Sequence, residues 1–330
     1  MSETPATGTD NTANPEATRA VKAIVAEISK AVVGQQQVIR EVLIALLASG
    51  HVLLEGVPGL GKTLLVKALA KCFEGDFSRI QFTPDLMPAD VTGHVIYDMS
   101  NDKFNTHKGP IFTNLLLADE INRAPAKTQA ALLEVMQEYQ ATIEGTSHPV
   151  PKPFMTLATQ NPLEQEGTYP LPEAQLDRFL MKVLIDYPEE EQEQLLVKVV
   201  TGERIGDALS VDAVSKIVNG ETIQKLQQYC ARIKVDQAII DYCVRMVRAT
   251  RSWQGISIGA GPRGSIALVR CARAAALLGG RDYVTPDDVK NISLPALRHR
   301  IEVSPELEME GHTSDQILTN LVNQVETPRL

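Results

Sequence analysis

Apolar segments and helical patterns alternate along the first half of the chain. Short apolar segments, of the length typical of buried strands, lie at residues 51–55, 79–82, 113–118, 154–159 and 179–185. Helical stretches separate them, as in βαβ units built around a parallel sheet. The segment 113–118 is almost continuously apolar towards its end, which indicates a strand covered on both faces. This half of the chain is therefore predicted to have an α/β fold.

After Pro188 only helical patterns remain. Residues 189–201 predict a charged helix, and residues 262–278 predict a helix with proline at its start and two glycines after its end. Thr285, followed three residues later by Asp288, predicts a capping box at the start of another helix. The predicted organisation is an α/β core at 18–186, a linker helix and loop at 187–209, and an all-helical domain at 210–330.

Composition and charge narrow the class of protein. Residues 1–17 are rich in Thr, Ala, Asn and Pro, so a disordered tail is expected, and they lack the basic and apolar pattern of a secretory signal. No apolar run reaches the ~18 residues that a membrane span requires. The four cysteines form no CxxC pair, which favours structural thiols in a reducing cytoplasm. A net charge of −9 argues against nucleic-acid binding.

Residues 56–63 read GVPGLGKT and fit the phosphate-binding pattern of Gly, four free positions and Gly-Lys-Thr. Glycines at 56, 59 and 61 are expected to take positive φ, so that backbone N–H groups converge on a polyphosphate. Lys62 supplies a charge for the β- and γ-phosphates, and the Thr63 hydroxyl can bind Mg²⁺. The predicted nucleotide-binding residues of this segment are Gly56, Pro58, Gly59, Leu60, Gly61, Lys62, Thr63 and Leu64.

The flanks of this loop support the assignment. An apolar strand precedes it, and residues 63–73 carry apolar side chains at helical spacing. The start of that helix adds its partial positive charge to the phosphate site. The loop by itself would support a kinase, a GTPase or an ATPase that binds its nucleotide with Mg²⁺, and the second motif narrows this towards ATP hydrolysis.

Two acids follow a second apolar strand, in the segment LLLADE at residues 115–120. Asp119 at the strand end can hold the Mg²⁺ shell, at the edge where open α/β sheets place their ligands. Glu120 is then positioned to polarise the water that attacks the γ-phosphate. The pair therefore predicts nucleotide hydrolysis.

Three further polar residues allow two interpretations each. Asn161 could contact the γ-phosphate or orient the water, although Asn before Pro is more often a turn residue. Arg178 is expected from spacing alone to pair with Asp177 or another nearby acid, and alternatively it could complete the site of a neighbouring subunit. Arg263 stands in the first turn of a helix, where a cation is unfavourable, so a nearby anionic ligand explains it better.

The ordered set of motifs resembles the AAA+ ATPases, and within them the MoxR group. The segments that carry the resemblance are Val33-Gly34-Gln35, GVPGLGKT, residues 79–93, LLLADEINRAP, ATQNP, PLPEAQLDRF, GPR at 261–263 and LRHRI at 297–301. They span residues 30–301 in the expected order. The resemblance implies an AAA+ P-loop core with a parallel sheet, followed by an all-helical lid.

The resemblance also assigns residue roles. It implies that Val33, Gly34 and Gln35 line the adenine pocket, and that Asn161, Arg178 and Arg263 are the first sensor, the arginine finger and the second sensor. Two inserted hairpins are implied, around residues 94–111 and 139–154. This chain departs from the family in having Gly261 and Gly264 around Arg263, where Ser or Ala is more common.

A MoxR-type protein is expected to form a homo-oligomeric ring, usually of six subunits. The resemblance implies a chaperone that acts with a von Willebrand factor A-type partner on a client protein or complex. Two alternatives stay open at this point. One is a helicase-like ring that translocates DNA, although the hairpins carry too little positive charge to grip phosphates. The other is a nucleotide-gated scaffold without turnover, which the intact set of Lys62, Asp119, Glu120 and Arg178 disfavours.

Overall fold

A five-stranded parallel sheet forms the centre of the first half of the chain. The computed structural model describes residues 14–57, 59–161, 167–201 and 210–328. The strands of this half are β1 (Val52–Gly56), β2 (Phe77–Gln81), β3 (Gly93–Asp98), β4 (Lys103–Lys108), β5 (Leu115–Asp119), β6 (Gln140–Ile143), β7 (Thr146–Pro149), β8 (Met155–Gln160) and β9 (Met181–Ile185). The sheet has the order β2-β5-β8-β1-β9, and all its neighbouring strands run parallel. The α/β prediction is confirmed.

Helices cover both faces of this sheet. They are α1 (Pro15–Ile28), α2 (Gln36–Leu47), α3 (Lys62–Cys72), α4 (Pro88–Thr92), α5 (Ala126–Glu138) and α6 (Glu173–Leu176). Successive residues of β5 face opposite cores: Leu117 packs with α2 and α3, and Leu116 packs with α5. Because both faces are covered, the strand is apolar up to its last residue, Asp119. The predicted strand at 113–118 is thus an interior strand, shifted to Leu115–Asp119.

Two antiparallel hairpins project from the core, at the places that the family resemblance implied, the first beginning one residue earlier at Gly93. They pair β3 with β4 and β6 with β7. Every residue of β4 is exposed. Near the tip of the first hairpin, Met99 is 88% exposed and Phe104 is 76% exposed. This tip therefore presents apolar side chains to solvent.

The second half of the described chain is helical, as predicted. Its helices are α7 (Glu190–Val200), α8 (Gly220–Ala231), α9 (Gln237–Thr250), α10 (Pro262–Leu278), α11 (Pro286–Leu297), α12 (Pro305–Met309) and α13 (Ser314–Gln324). The predicted helix at 262–278 and the Thr285–Asp288 capping box are both present. A short antiparallel ribbon of β10 (Ile256–Ile258) and β11 (Glu302–Val303) was not predicted, because such short strands give no alternating pattern.

The expected tail at residues 1–17 needs a correction at its end. Residues 1–13 lie outside the described part of the chain, but α1 already begins at Pro15. Asn14 caps this helix by accepting a hydrogen bond from the Glu16 amide at 2.9 Å, and its own amide donates to the Tyr229 hydroxyl at 2.8 Å. Ala17 is buried. Cap, proline and burial together order the helix start.

Two further expectations concern the cysteines and membrane spans. Cys72, Cys230, Cys243 and Cys271 are all buried free thiols, and burial raises the pKa of each to about 12. They therefore pack as small apolar side chains. Within the described ranges, no helix has the length and apolar character needed to cross a membrane.

Candidate functional site

A cleft of about 420 Å³ opens where β1, β5 and β8 end. These strands run parallel, so their carboxyl ends meet at one edge of the sheet, which is where such folds bind ligands. The cleft is lined by Gly59, Gly61, Lys62, Thr63, Leu64, Lys67, Arg79, Gln81, Asp119, Glu120, Thr159 and Asn161. The structure thus brings the glycine-rich loop, the acid pair and Asn161 together.

The glycine-rich loop is open on its inner side. Gly59 and Gly61 have φ of +87° and +77°, and a Cβ added at either would have no atom within 4 Å. Their backbone therefore leaves room for a ligand to approach closely. Gly56 departs from the prediction, because its φ is not positive. A Cβ there would lie 2.4 Å from the Ile185 carbonyl, so Gly56 is required by close packing of β1 on β9.

Lys62 begins α3 and extends back into the loop. Its Nζ donates to the Gly56 carbonyl at 2.5 Å. Burial lowers the pKa of Lys62, and the nearby carboxylates of Asp119, Glu120 and Glu55 oppose this shift. Leu60 packs against the core, Leu64 is buried, and Pro58 lies outside the described residues. The ammonium group is thus held where a polyphosphate would meet it.

Asp119 and Glu120 stand at the end of β5 with different partners. Asp119 Oδ1 accepts from the Thr159 hydroxyl at 2.5 Å, and Oδ2 accepts from Arg79 Nη2 at 2.7 Å. Glu120 Oε2 accepts from Gln81 Nε2 at 2.9 Å and from Arg123 Nη1 at 3.0 Å. Glu120 also has a φ of +56°, a conformation that is unfavourable for a residue with a side chain. The fold holds this carboxylate at a specific place beside the cleft.

Sequence reasoning missed four residues of this cleft: Lys67, Arg79, Gln81 and Thr159. Strand pairing explains how the last two come to lie here. In the register of β2 and β5, Gln81 pairs with Asp119. In the register of β5 and β8, Ala118 pairs with Ala158, so the next residue, Thr159, lies beside Asp119. Polar residues at the ends of neighbouring apolar strands were the available signal, but their register is not visible in sequence.

The residues present fit a magnesium triphosphate. Mg²⁺ prefers oxygen ligands and usually keeps several waters and substrate phosphates, so it needs few protein groups. The Thr63 hydroxyl and the Asp119 carboxylate both line the cleft. Asn161 follows β8 at the same edge and is 8% exposed. The open glycine backbone and Lys62 supply the donors that phosphates require.

Arg178 and Arg263 lie at the opposite edge of the sheet. Arg178 precedes β9, which runs parallel to β1, whereas the glycine-rich loop follows β1. At about 3.3 Å per residue, a strand of this length separates the two edges by about 16 Å. Both arginines line a second cavity of about 340 Å³, to which Asp177, Arg270 and Arg300 also contribute. A single chain does not bring these arginines to Lys62.

Asp177 does not pair with Arg178, contrary to the simpler expectation from spacing. Its Oδ1 accepts from Arg300 Nε at 2.7 Å, and its Oδ2 lies 3.7 Å from Arg263 Nη1. Within the described ranges, no ion pair joins Arg178 to an acid. The acid nearest in sequence is occupied by arginines from the helical domain.

Known proteins match this chain over nearly its whole length. A family model described as "ATPase family associated with various cellular activities (AAA)" matches residues 51–181, and one described as "AAA lid domain" matches residues 248–321. "Chaperone MoxR1" of Mycobacterium tuberculosis is 43% identical over 315 residues, covering 92% of this chain and 81% of that protein. The chain belongs to the MoxR-type AAA+ ATPases.

Two other comparisons agree with this membership. YeaC of Bacillus subtilis is 44% identical over 304 residues, covering 92% of this MoxR-type chain and 93% of YeaC. A crystal structure from Cytophaga hutchinsonii, provisionally described as an ATPase, superposes with a TM-score of 0.87 at 42% identity and covers 95% of this chain and 96% of that one. The AAA+ core and lid architecture is therefore shown.

Val33, Gly34 and Gln35 lie beside the nucleotide edge of this MoxR-type ATPase but do not line the phosphate cleft. Gln35 Nε2 donates to the carbonyl of Asp186, just after β9, at 3.1 Å. Gly34 has a φ of +76°, and a Cβ there would lie 2.6 Å from Gln192 Oε1 of α7. These residues thus occupy the same edge of the sheet as the glycine-rich loop, where α7 crosses them.

Proposed function

We propose that this MoxR-type protein hydrolyses Mg-ATP at a site shared between neighbouring subunits of a ring. The observation that carries the proposal is the cavity at the far edge of the sheet, lined by four arginines and one aspartate: Arg178, Arg263, Arg270, Arg300 and Asp177. A cluster with this excess of cations suits a polyanion, yet it lies away from the chain's own phosphate loop. A neighbouring subunit's triphosphate is the ligand that accounts for both features.

Within the cleft, each residue has a distinct task. Backbone N–H groups at Gly59 and Gly61 and the Lys62 ammonium bind the phosphates. Thr63 and Asp119 would hold Mg²⁺, which when bound neutralises charge that develops on the phosphate oxygens. Glu120 accepts the proton of the attacking water. Asn161, at the end of β8, is proposed to sense the γ-phosphate.

Arg178 and Arg263 complete the site from the neighbouring subunit. Phosphoryl transfer develops charge on the transferred group, and an arginine supplied in trans can contribute 10³ to 10⁵ in rate. Both arginines contact the γ-phosphate only while it is present. Hydrolysis therefore removes these contacts and frees the two subunits to change their relative position. A closed ring, expected to be a hexamer, gives every cleft such a neighbour.

The mechanical output is proposed to be remodelling of a client protein, as the name of the mycobacterial relative suggests. The exposed Met99, Phe104 and Tyr97 of the first hairpin support a polypeptide rather than DNA as the client. This hairpin also carries Lys103 and Lys108 against Asp98 and Asp102, so it offers no net charge for phosphates. A von Willebrand factor A-type partner and the maturation or metal loading of an enzyme rest on the family resemblance alone.

Mixing two inactive variants tests the shared site. Arg178→Ala should bind ATP yet turn over at least 10³-fold more slowly, and Lys62→Ala should bind no ATP. Mixed subunits should recover part of the ATPase rate, because a Lys62→Ala subunit still donates its arginine to an intact cleft. The matched control is the double variant Lys62→Ala/Arg178→Ala, which should rescue nothing. Equal rates in the two mixtures would contradict the proposal, and wild-type protein that binds ATP without turnover would instead support a scaffold.

A further inference from the structure

The lid segment Arg298-His299-Arg300 has no catalytic task in the proposed function, although Arg300 lines the arginine cavity, and all three residues contact the core. It follows α11 and contacts the chain between residues 177 and 182, which contains Arg178. Arg298 Nη1 donates to the Lys182 carbonyl at 3.2 Å. His299 Nε2 lies 3.1 Å from the Phe179 carbonyl, which can only accept, so this nitrogen carries the proton.

Arg300 makes the most extensive of these contacts. Its side chain is 3% exposed. All five N–H donors of its guanidinium have acceptors: Nε donates to Asp177 Oδ1 at 2.7 Å, Nη1 to the Leu180 carbonyl at 3.2 Å and to the Ala296 carbonyl, and Nη2 to the carbonyls of Phe179 at 2.7 Å and Asp177 at 3.4 Å. Three of the acceptors are backbone groups on either side of Arg178. A single lid side chain therefore fixes the backbone from which Arg178 projects.

Stability alone is a poor explanation for this arrangement. Burying an arginine and its partner acid removes both from water, and replacing such a pair with apolar residues is often neutral or stabilising. Burial also lowers the pKa of Arg300, against the opposing effect of Asp177. What the five donors provide is a fixed geometry, because a planar guanidinium satisfies this set of acceptors in one orientation.

We propose that Arg300, assisted by Arg298 and His299, is a positioning residue that fixes the trans arginine Arg178 to the lid. The inference rests on the proposed function of Arg178 and extends it. Asp177 strengthens the link, because its carboxylate contacts Arg300 and also faces Arg263 at 3.7 Å. Lid and arginine pair therefore move as one body relative to the neighbouring cleft. Movement of a lid is transmitted to the next subunit's ATP through this contact.

Arg300→Lys tests the proposal, since lysine keeps the charge but has three donors instead of five. The ATPase kcat should fall at least tenfold, because misplacement of a positioning group by about 1 Å can reduce rates by up to 10². The Kd for ATP should stay within twofold of wild type, because the phosphate loop lies at the other edge. The matched control is Arg281→Lys, which weakens a bidentate ion pair with Asp288 (2.6 Å at both oxygens) inside the lid. Its kcat should stay within twofold even if its melting temperature falls equally.

Subunit mixing separates this inference from the proposed function. Arg178→Ala subunits should be rescued by Lys62→Ala donors and by Lys62→Ala/Arg281→Lys donors, but poorly by Lys62→Ala/Arg300→Lys donors. Equal rescue by all three would overturn the positioning role and leave the shared site intact. If no donor restores the ATPase rate, the proposal of a shared site is wrong. The positioning role is then tested by the kcat of Arg300→Lys alone, and a kcat equal to that of Arg281→Lys overturns it. If Arg300→Lys does not fold, Asp177→Asn is the alternative variant, because it keeps the shape of the side chain and removes its charge. It is expected to lower the ATPase kcat and to leave the Kd for ATP unchanged.

Discussion

The two edges of the central sheet are organised in different ways. At the carboxyl edge, the loop after β1 and the acid pair after β5 form a cleft from short segments that follow their own strands. At the amino edge, the backbone on either side of Arg178 is held by Arg300, which lies 123 residues from Asp177 along the chain. One edge is assembled by local sequence and the other by the lid. Under the proposed function, this difference assigns the lid to the arginine side of the site rather than to the phosphate side.

This division has a functional consequence. Because strands in a parallel sheet all point the same way, groups before β9 and groups after β1 cannot meet within one chain. Each MoxR-type chain thus carries the phosphate-loop cleft and the arginine cavity at opposite edges of its sheet. Under the proposed function, only contact between subunits joins the two, and hydrolysis is a property of the assembly.

Glu120→Gln should have the largest effect, and only on the carboxyl edge. The amide cannot accept the proton of the attacking water, so kcat should fall by about 10² to 10³-fold. Binding should persist, because Lys62, Thr63 and Asp119 are unchanged. Steady-state ATPase rates together with isothermal titration of ATP measure both quantities. Glu138→Gln, on the end of α5, is the control, and it should retain the wild-type rate. Equal turnover by wild type and Glu120→Gln would remove Glu120 from the mechanism.

The carboxyl edge was also the part that sequence could predict. The loop that leads to Lys62 follows β1, Asp119 ends β5 and Asn161 directly follows β8, so strand prediction places all three at one edge. The amino edge was less accessible. Arg178 stands next to Asp177 in sequence, and the expected pair does not form because Arg300 and Arg263 take the carboxylate. Contacts between residues so far apart leave no local pattern.

The side-chain contacts at the carboxyl edge could not be predicted from the sequence either. Thr159 donates to Asp119, and Gln81 donates to Glu120, because strand register aligns them. Gly56 matched the loop pattern for a reason other than positive φ, namely the approach of the Ile185 carbonyl. Motif spacing identified the position of Gly56, but the packing of β1 on β9 explains why it is a glycine.

Arg263→Ala should have an intermediate effect on kcat, and its effect on the Kd for ATP shows which subunit's nucleotide Arg263 contacts. If it acts on the neighbouring subunit, kcat should fall about 10- to 100-fold while the Kd for ATP hardly changes. Titration in the Glu120→Gln background gives that Kd without hydrolysis. The control is Arg248→Ala, another exposed arginine of the lid, which should leave both values unchanged. A Kd weakened tenfold in isolated monomers would instead place Arg263 at its own chain's phosphates and contradict the separation of the two edges.

The smallest predicted effect concerns His51, a buried histidine of the amino edge. Its Nδ1 accepts from the Thr156 amide at 3.0 Å, so Nε2 carries the proton and donates to the Met136 carbonyl at 3.0 Å. Burial, together with the charge of Arg270, lowers the pKa of His51 to about 4. The unfolded chain takes up a proton below pH 6.5, whereas the folded chain does not until about pH 4. Stability that is present above pH 6.5 is therefore lost as the pH falls between these values.

At pH 5.5, His51 should reduce the free energy of unfolding by about 1.4 kcal/mol relative to pH 7.5. Urea unfolding at both pH values measures this difference. His51→Gln keeps a donor for Met136 but cannot titrate, so its loss between the two pH values should be smaller by about that amount. His94→Gln, on the exposed hairpin, should behave as wild type. A pH response unchanged in His51→Gln would show that the amino edge does not depend on a neutral histidine. A smaller response would locate one source of acid sensitivity beneath the arginine cavity, away from the phosphate cleft.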